Sequence, residues 1–173
     1  WTYLGHLRFW DIARKAGASI EVLPMDLGGK VFPVSGGLPL AKRAPQRQAY
    51  RLLELKRFSE FLGQPIVLQP KFFPVNADDA AKLIIAVDMH DGSEAAMRIA
   101  GRILRGVWVD ERNIADARDL AKMLEAEGLP AQRLDDSMSQ AVHQRYEQDS
   151  QRAIAAGVFG APSYVVEGEI FWG

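Results

Sequence analysis

Residues 157–173 read GVFGAPSYVVEGEIFWG. No charged side chain lies between Gly157 and Val166, and two glycines and a proline crowd the junction between a helix and a hairpin. A loop that only turned the chain would usually carry Asn, Asp or Ser. Gly157 can take the left-handed conformation that ends a helix, and Gly160 supplies a second freely chosen backbone angle. Pro162 keeps Ala161 out of the helical region. An extended Ala161 with open N–H and C=O could pair with an extended ligand, as an added strand does. A cis bond before Pro162 would turn those groups outward, away from the hairpin. The plainer alternative is a tight helix-to-strand connection with no ligand. Downstream, SYVV and EIFW flank Glu167 and Gly168, the pattern of a two-residue hairpin.

Upstream of that stretch the pattern is mostly helical. A long helix begins at Asp136 or Ser137 and stops at Gly157; another covers 111–128, capped by Asp110 and stopped by Gly128 and Pro130. Asn76 caps a helix that runs to about residue 90, and 93–105 forms the next. Residues 65–74 hold three prolines in ten, which keeps them extended and off the middle of any sheet. Pro45 opens a helix ending at Gly63, with Tyr50, Leu53, Phe58 and Phe61/Leu62 along one side. Residues 28–44, with four glycines and two prolines, form a long irregular loop of a length uncommon unless it binds something.

At the front, Leu4, Leu7, Phe9, Trp10 and Ala13 recur at helical spacing over 1–17, and Gly17 follows. SIEVLPMDL, 19–27, alternates and predicts a strand. Few strands at opposite ends of a largely helical chain predict an α/β architecture: a small mixed sheet with a helical block inserted between its halves. On this reading 1–27 and 138–173 form one discontinuous unit and 28–137 the insertion. The start at Trp1 within helical periodicity, with no initiator Met, reads as the interior of a slightly longer protein, its first strand and last segment lying outside these residues.

The 173 residues suit one domain, or one with a sizeable insertion. Apolar residues make up 48% and charged residues 25%, too hydrophobic for disorder. With 21 basic against 22 acidic side chains, the charge exerts no long-range pull on nucleic acid or anionic lipid. Neither nucleic acid nor membrane is expected as a partner. There is no cysteine, so these residues carry no disulfide, thiolate nucleophile or Cys-built zinc site, which fits a cytoplasmic location.

GVFGAPSYVVEGEIFWG resembles the cis-proline signature of the DsbA-like, kappa-class branch of the thioredoxin superfamily, and more narrowly that of the 2-hydroxychromene-2-carboxylate isomerases. WTYLGH is similar to the continuation of their SPxxYLG element. LPLAKRAPQRQAYRLLELKR and LQPKFFPVN are similar to their helical insertion. The resemblance implies a thioredoxin-like fold with glutathione as cofactor, held by the main chain of Ala161 before a cis Pro162. It places a catalytic serine two positions before Trp1, with Thr2 where thioredoxins hold their second cysteine; a mixed disulfide then has no resolving thiol. Arg47, three before Tyr50, would reach a glutathione carboxylate. Gly37, in SGG where kappa transferases carry a GN segment, would offer only backbone.

The activity implied is interconversion of 2-hydroxychromene-2-carboxylate and trans-o-hydroxybenzylidenepyruvate, in breakdown of naphthalene-type arenes. In the resembled family the thiolate adds reversibly to the conjugated substrate, allows rotation and is expelled, so glutathione is regenerated. A homodimer is implied as well. Trp1, Thr2, Tyr50, Phe32 and Phe159 are the candidate walls of a flat apolar site for a small aromatic carboxylate. The alternatives are a kappa-like glutathione transferase or peroxidase, and a non-catalytic thioredoxin-fold binding module.

Other residues invite blander readings. His6 packs locally, His90 answers a helix C-terminus, and His143 pairs with Glu147 one turn on. No metal site is expected from histidines so scattered. Asp78/Asp79, Asp110/Glu111 and Asp135/Asp136 sit at helix starts, where the dipole favours them. Lys42, Arg43 and Arg47 form a small positive patch near the pocket mouth.

Overall fold

Helix α1, Thr2–Lys15, buries Tyr3, Leu4, His6 and Ala13 on one side. In this computed structural model, which describes residues 1–173, six further helices precede the last one. They are α2 (Phe32–Ser35), α3 (Pro45–Leu62), α4 (Asp78–Asp91), α5 (Ser93–Trp108), α6 (Ala117–Ala126) and α7 (Arg133–Asp136). Helix α8, Gln140–Ala155, leads to strands β1, Ser163–Val166, and β2, Glu169–Trp172. The strands pair antiparallel with Val166 opposite Glu169. Glu167 and Gly168 both take positive φ, 51° and 85°, as the tight hairpin turn requires.

One core joins the front of the chain to the helical block. Leu4 of α1, Leu55 of α3, Leu83 of α4, Ile99 of α5 and Leu120 and Leu124 of α6 meet in it. A smaller cluster of Ile85, Ala86 and Val142, with Tyr146 against it, ties α8 to α4. Tyr146 Oη also donates to Asp78 Oδ1 at 3.0 Å. Helices therefore position the hairpin; the sheet it belongs to has only two strands.

Several expectations need correction. Residues 18–26 form no strand, and the mixed sheet is absent. Alternation makes a strand only where a neighbour completes the ladder. Here side chains of α8 hold the segment instead. Ser150 Oγ accepts from the Asp26 amide at 2.9 Å, and Arg152 donates to both oxygens of Glu21 at 2.7 and 2.8 Å. The loop over 28–44 is not wholly irregular: a turn of π-helix at Leu27–Val31, helix α2 and a 3-10 turn at Leu40–Lys42 occupy it.

Most of the apolar side assigned to α3 faces out, although Leu62 packs on the core. Tyr50, Leu53, Phe58 and Phe61 are exposed, while Leu55 alone is fully covered. The helix carries apolar residues all round, and periodicity could not say which side meets α1. Leu7 of α1 is exposed for the same reason.

Caps shift too. Asp116, not Asp110, caps α6, its carboxylate accepting from the Arg118 amide. Asp110 and Glu111 lie in the turn between α5 and α6, away from a helix start. Ser139 caps α8. Asn76 accepts from the Asp78 amide at 2.8 Å, one position ahead of the helix proper. Glu147 pairs with Lys30 and not with His143.

His6 is buried against α5, where a Cβ on Gly101 would lie 2.7 Å from its Nε2. That nitrogen has no hydrogen-bond partner, and burial pushes the imidazole pKa down. The folded state thus binds this proton more weakly than the unfolded chain, where histidine titrates near about 6.5. The stabilising difference is complete above that value and is lost as pH falls through it towards the folded pKa. Melting temperature should drop between about pH 7.5 and about 5.5, with a shallower slope in His6→Leu; parallel slopes would refute the assignment.

Candidate functional site

The loop from α8 to β1 meets the first turns of α1 at a position without a side chain. An ideal Cβ on Gly5 would lie 2.8 Å from Tyr164 Oη and 3.9 Å from Pro162 Cγ. Phe9, one turn further along α1, stacks on Tyr164 with centroids 4.4 Å apart and planes 23° from parallel. Burial pushes the Tyr164 hydroxyl pKa up, so it stays neutral here. These contacts fix the hairpin against α1.

The Ala161–Pro162 bond is cis. Neither the N–H nor the C=O of Ala161 makes a hydrogen bond within the chain, although the residue is half-buried. On either side the polar groups are occupied: Ser163 Oγ donates to Gly160 O at 2.7 Å and Gly173 N donates to Pro162 O at 3.4 Å. Next to Ala161, Pro162 meets the first turns of α1 at Gly5. The first-turn amides of that helix point outward as unpaired donors and carry the positive end of the helix dipole.

Gly160 serves by its size and not, as expected, by a special backbone angle. Its φ is not positive, and a Cβ there would sit 2.5 Å from Trp172 Nε1. Phe159 leans on the same indole at 5.1 Å. Trp1 is half-buried and meets Phe58 of α3 edge-on at 5.6 Å, and Thr2 beside it is half-buried. Arg47 and Tyr50 lie on the exposed side of α3, and the Arg47 guanidinium has no ion pair. Phe32 folds over Gly37, where a side chain would otherwise be, and both backbone polar groups of Gly37 are free of intrachain bonds. The structure thus brings Ala161 and Pro162 to α1 and sets α3 beside it. Phe32 lies against Gly37, and Phe159 against Trp172.

Three residues were not singled out from the sequence. Gly5 and Tyr164 form the contact itself, and a glycine inside a helix, which costs about 1 kcal/mol relative to alanine, was the available signal. Arg51 is half-buried over the rings of Phe73 and Trp108, at 5.3 and 5.5 Å. Two hollows lie away from this region, about 630 Å³ along Arg118, Lys122 and Glu125 of α6 and about 590 Å³ along α8. Both are open; the first mixes those three charged side chains with Ala121, Leu129 and Ala131, and the second is lined only by polar and charged side chains, poor walls for an apolar ligand. No three His, Asp or Glu side chains gather to hold a metal ion. No helix is long and apolar enough to cross a membrane.

A profile of the DSBA-like thioredoxin domain matches residues 1–173. The chain belongs to this family. Its α/β thioredoxin-like fold is expanded by helices, with the hairpin as its sheet. A 2-hydroxychromene-2-carboxylate isomerase from Sphingobium xenophagum is 27% identical over 173 residues, covering 99% of this chain and 86% of the relative. The structure of selenomethionine 2-hydroxychromene-2-carboxylate isomerase matches with a TM-score of 0.83 at 22% identity, over 99% of this chain and 82% of that one. The cytosolic disulfide reductase DsbM from Pseudomonas aeruginosa, solved with GSH, matches with a TM-score of 0.68 at 17% identity, over 99% and 82%.

In this DSBA-like chain the Gly5 contact yields a sign test. Gly5→Ala gains about 1 kcal/mol of helix propensity but overpacks against Tyr164 Oη, at a cost of about 1–3 kcal/mol. Urea unfolding should show Gly5→Ala destabilising in the natural background and stabilising in Tyr164→Phe, which lacks that oxygen. Equal effects in both backgrounds would mean the helix and hairpin do not touch there.

Proposed function

We propose that this protein is a glutathione-dependent isomerase interconverting 2-hydroxychromene-2-carboxylate and trans-o-hydroxybenzylidenepyruvate. The observation that carries the reading is the open N–H and C=O of half-buried Ala161, next to the Pro162 that meets the first turns of α1 at Gly5. A peptide ligand with a thiol fits that pair of features. Its backbone can add to Ala161 as a short strand, and its sulfur then lies where unpaired amides and the helix dipole favour the thiolate. Support comes from the isomerase relative and from the neighbouring fold solved with GSH.

Within this proposal each residue has a task. Ala161 aligns the cysteinyl part of glutathione through its main chain, and Pro162 holds that peptide against Gly5. Arg47, free of any ion pair on exposed α3, takes a glutathione carboxylate, and the open amide of Gly37 is a further donor. Trp1, Thr2, Tyr50, Phe32 and Phe159 bound the space for the arene. Bound there, glutathione would supply a nucleophile able to add to a conjugated double bond and leave again. Disulfide exchange finds no support in these residues, which hold no cysteine. A need for reduced glutathione leads us to propose a cytoplasmic location, and the exposed Leu53 and Phe61 on α3 support a homodimer.

Turnover followed with and without glutathione tests the reading. Isomerisation should require glutathione and leave the free thiol concentration unchanged, and Arg47→Ala should weaken glutathione binding about tenfold, the effect of losing one charged hydrogen bond. Turnover without glutathione ends the proposal. Stoichiometric thiol loss with an electrophilic arene would favour the transferase alternative.

A further inference from the structure

Residues 27–53 contain Lys30, Lys42, Arg43, Arg47 and Arg51 and no Asp or Glu. Lys30 alone among them finds a carboxylate, that of Glu147. An unpaired cation at the surface is ordinary because water screens it. Arg51 is not at the surface: it is half-buried, with its guanidinium over Phe73 and Trp108, whose own centroids are 4.6 Å apart. Guanidinium has five N–H donors, and no protein acceptor takes one from Arg51. Contact with the ring faces offsets only part of the desolvation of such a charge. Burial and the nearby positive charge of Arg43 both lower its pKa. Arg43 is itself held near by its Nε, which donates to Leu38 O at 2.9 Å. Neither arginine has a carboxylate partner.

Their position gives this vacancy a meaning. Arg51 precedes fully buried Leu55 by one turn, so it lies on the side of α3 that enters the core. Phe58, two turns further along the same side of α3, meets Trp1 at the head of α1 edge-on at 5.6 Å. The guanidinium therefore borders the space where the glutathione thiol is placed above, and this inference rests on that reading. A planar fork matches a carboxylate bidentately, and Phe73 and Trp108 beneath it suit an aromatic ring. Carboxylates could come from glutathione or from the substrate. Exposed Arg47, one turn towards the solvent, suits the hydrated tripeptide, whereas Arg51 suits an acid carried on an arene.

We propose that Arg51, supported by Arg43, binds the carboxylate of an aromatic 2-oxo acid substrate and so selects acids over neutral electrophiles. The probes are phenylpyruvate, its methyl ester and glutathione, each titrated calorimetrically into the natural protein, Arg51→Met and Arg51→Lys. Arg51→Met should weaken phenylpyruvate about tenfold or more, the effect of removing a charged hydrogen-bonding partner, while leaving ester and glutathione affinities unchanged. Arg51→Lys keeps the charge without the fork and should recover part of the preference; its recovery also guards against a folding defect in the Met variant. Equal weakening of acid and ester, no phenylpyruvate binding to the natural protein, or a loss confined to glutathione would each overturn the assignment. If acid binding depends on Arg51 but no isomerisation occurs, the site stands and the isomerase reading falls. Isomerisation with unaltered acid preference in Arg51→Met gives the reverse.

Discussion

The close approach of Pro162 and Tyr164 to Gly5 sets the geometry on which the rest relies. A side chain at that helical position would collide with a tyrosine hydroxyl 2.8 Å away. Without one, the hairpin lies flat on α1, and Phe9 stacks on Tyr164 to hold it. The consequence reaches one residue back. Gly160, Pro162 and Ser163 engage their polar groups within the chain or close against Trp172, while Ala161 is left with both backbone groups open. An unpaired amide and carbonyl in a half-buried setting cost stability unless water or a ligand meets them. In the proposed function these groups are met by the peptide ligand.

A second constraint is ionic. Asp149 of α8 is completely buried, and burial raises its pKa while Arg145, donating at 2.8 and 3.0 Å, pulls the other way. Arg152 joins Asp149 to Glu21, and Ser150 holds the Asp26 amide. This network pins the 18–26 segment to α8 at the place where a sheet partner was expected. Buried ion pairs add little net stability beside an apolar replacement, but breaking one partner is expensive. Their contribution here is to register: they fix how the 18–26 segment lies along α8.

The basic stretch over 27–53 reads differently once burial is known. In sequence, Lys42, Arg43 and Arg47 make an ordinary positive patch. Packing separates them, leaving Arg47 in solvent while Arg51 is drawn over two aromatic rings. Position along α3 decided this: Arg47 sits in the first turn, whereas Arg51 lies one turn from Leu55, which joins Leu4 and Leu83 in the core. Tyr50, Leu53 and Phe61 were equally good candidates by hydropathy. Periodicity reports that a helix has an apolar side; it does not choose between two such sides when both are present.

Local chemistry settled much of this protein in advance. Proline at 45 and glycine at 17, 63 and 157 bound their helices, because these residues act on the backbone of their own turn and need no partner. The Glu167–Gly168 hairpin and the exposed logic of Ala161 before Pro162 were legible for the same reason. The strand over 19–27, the cap of α6, the buried side of α3 and the solitude of Arg51 were not. Each depends on which distant group arrives opposite: a ladder partner that is absent, an Asp six positions beyond the one expected, a core that accepts Leu55, a carboxylate that never comes. Short-range preferences live in the sequence; the pairing of surfaces brought together from opposite ends of the chain exists only after folding.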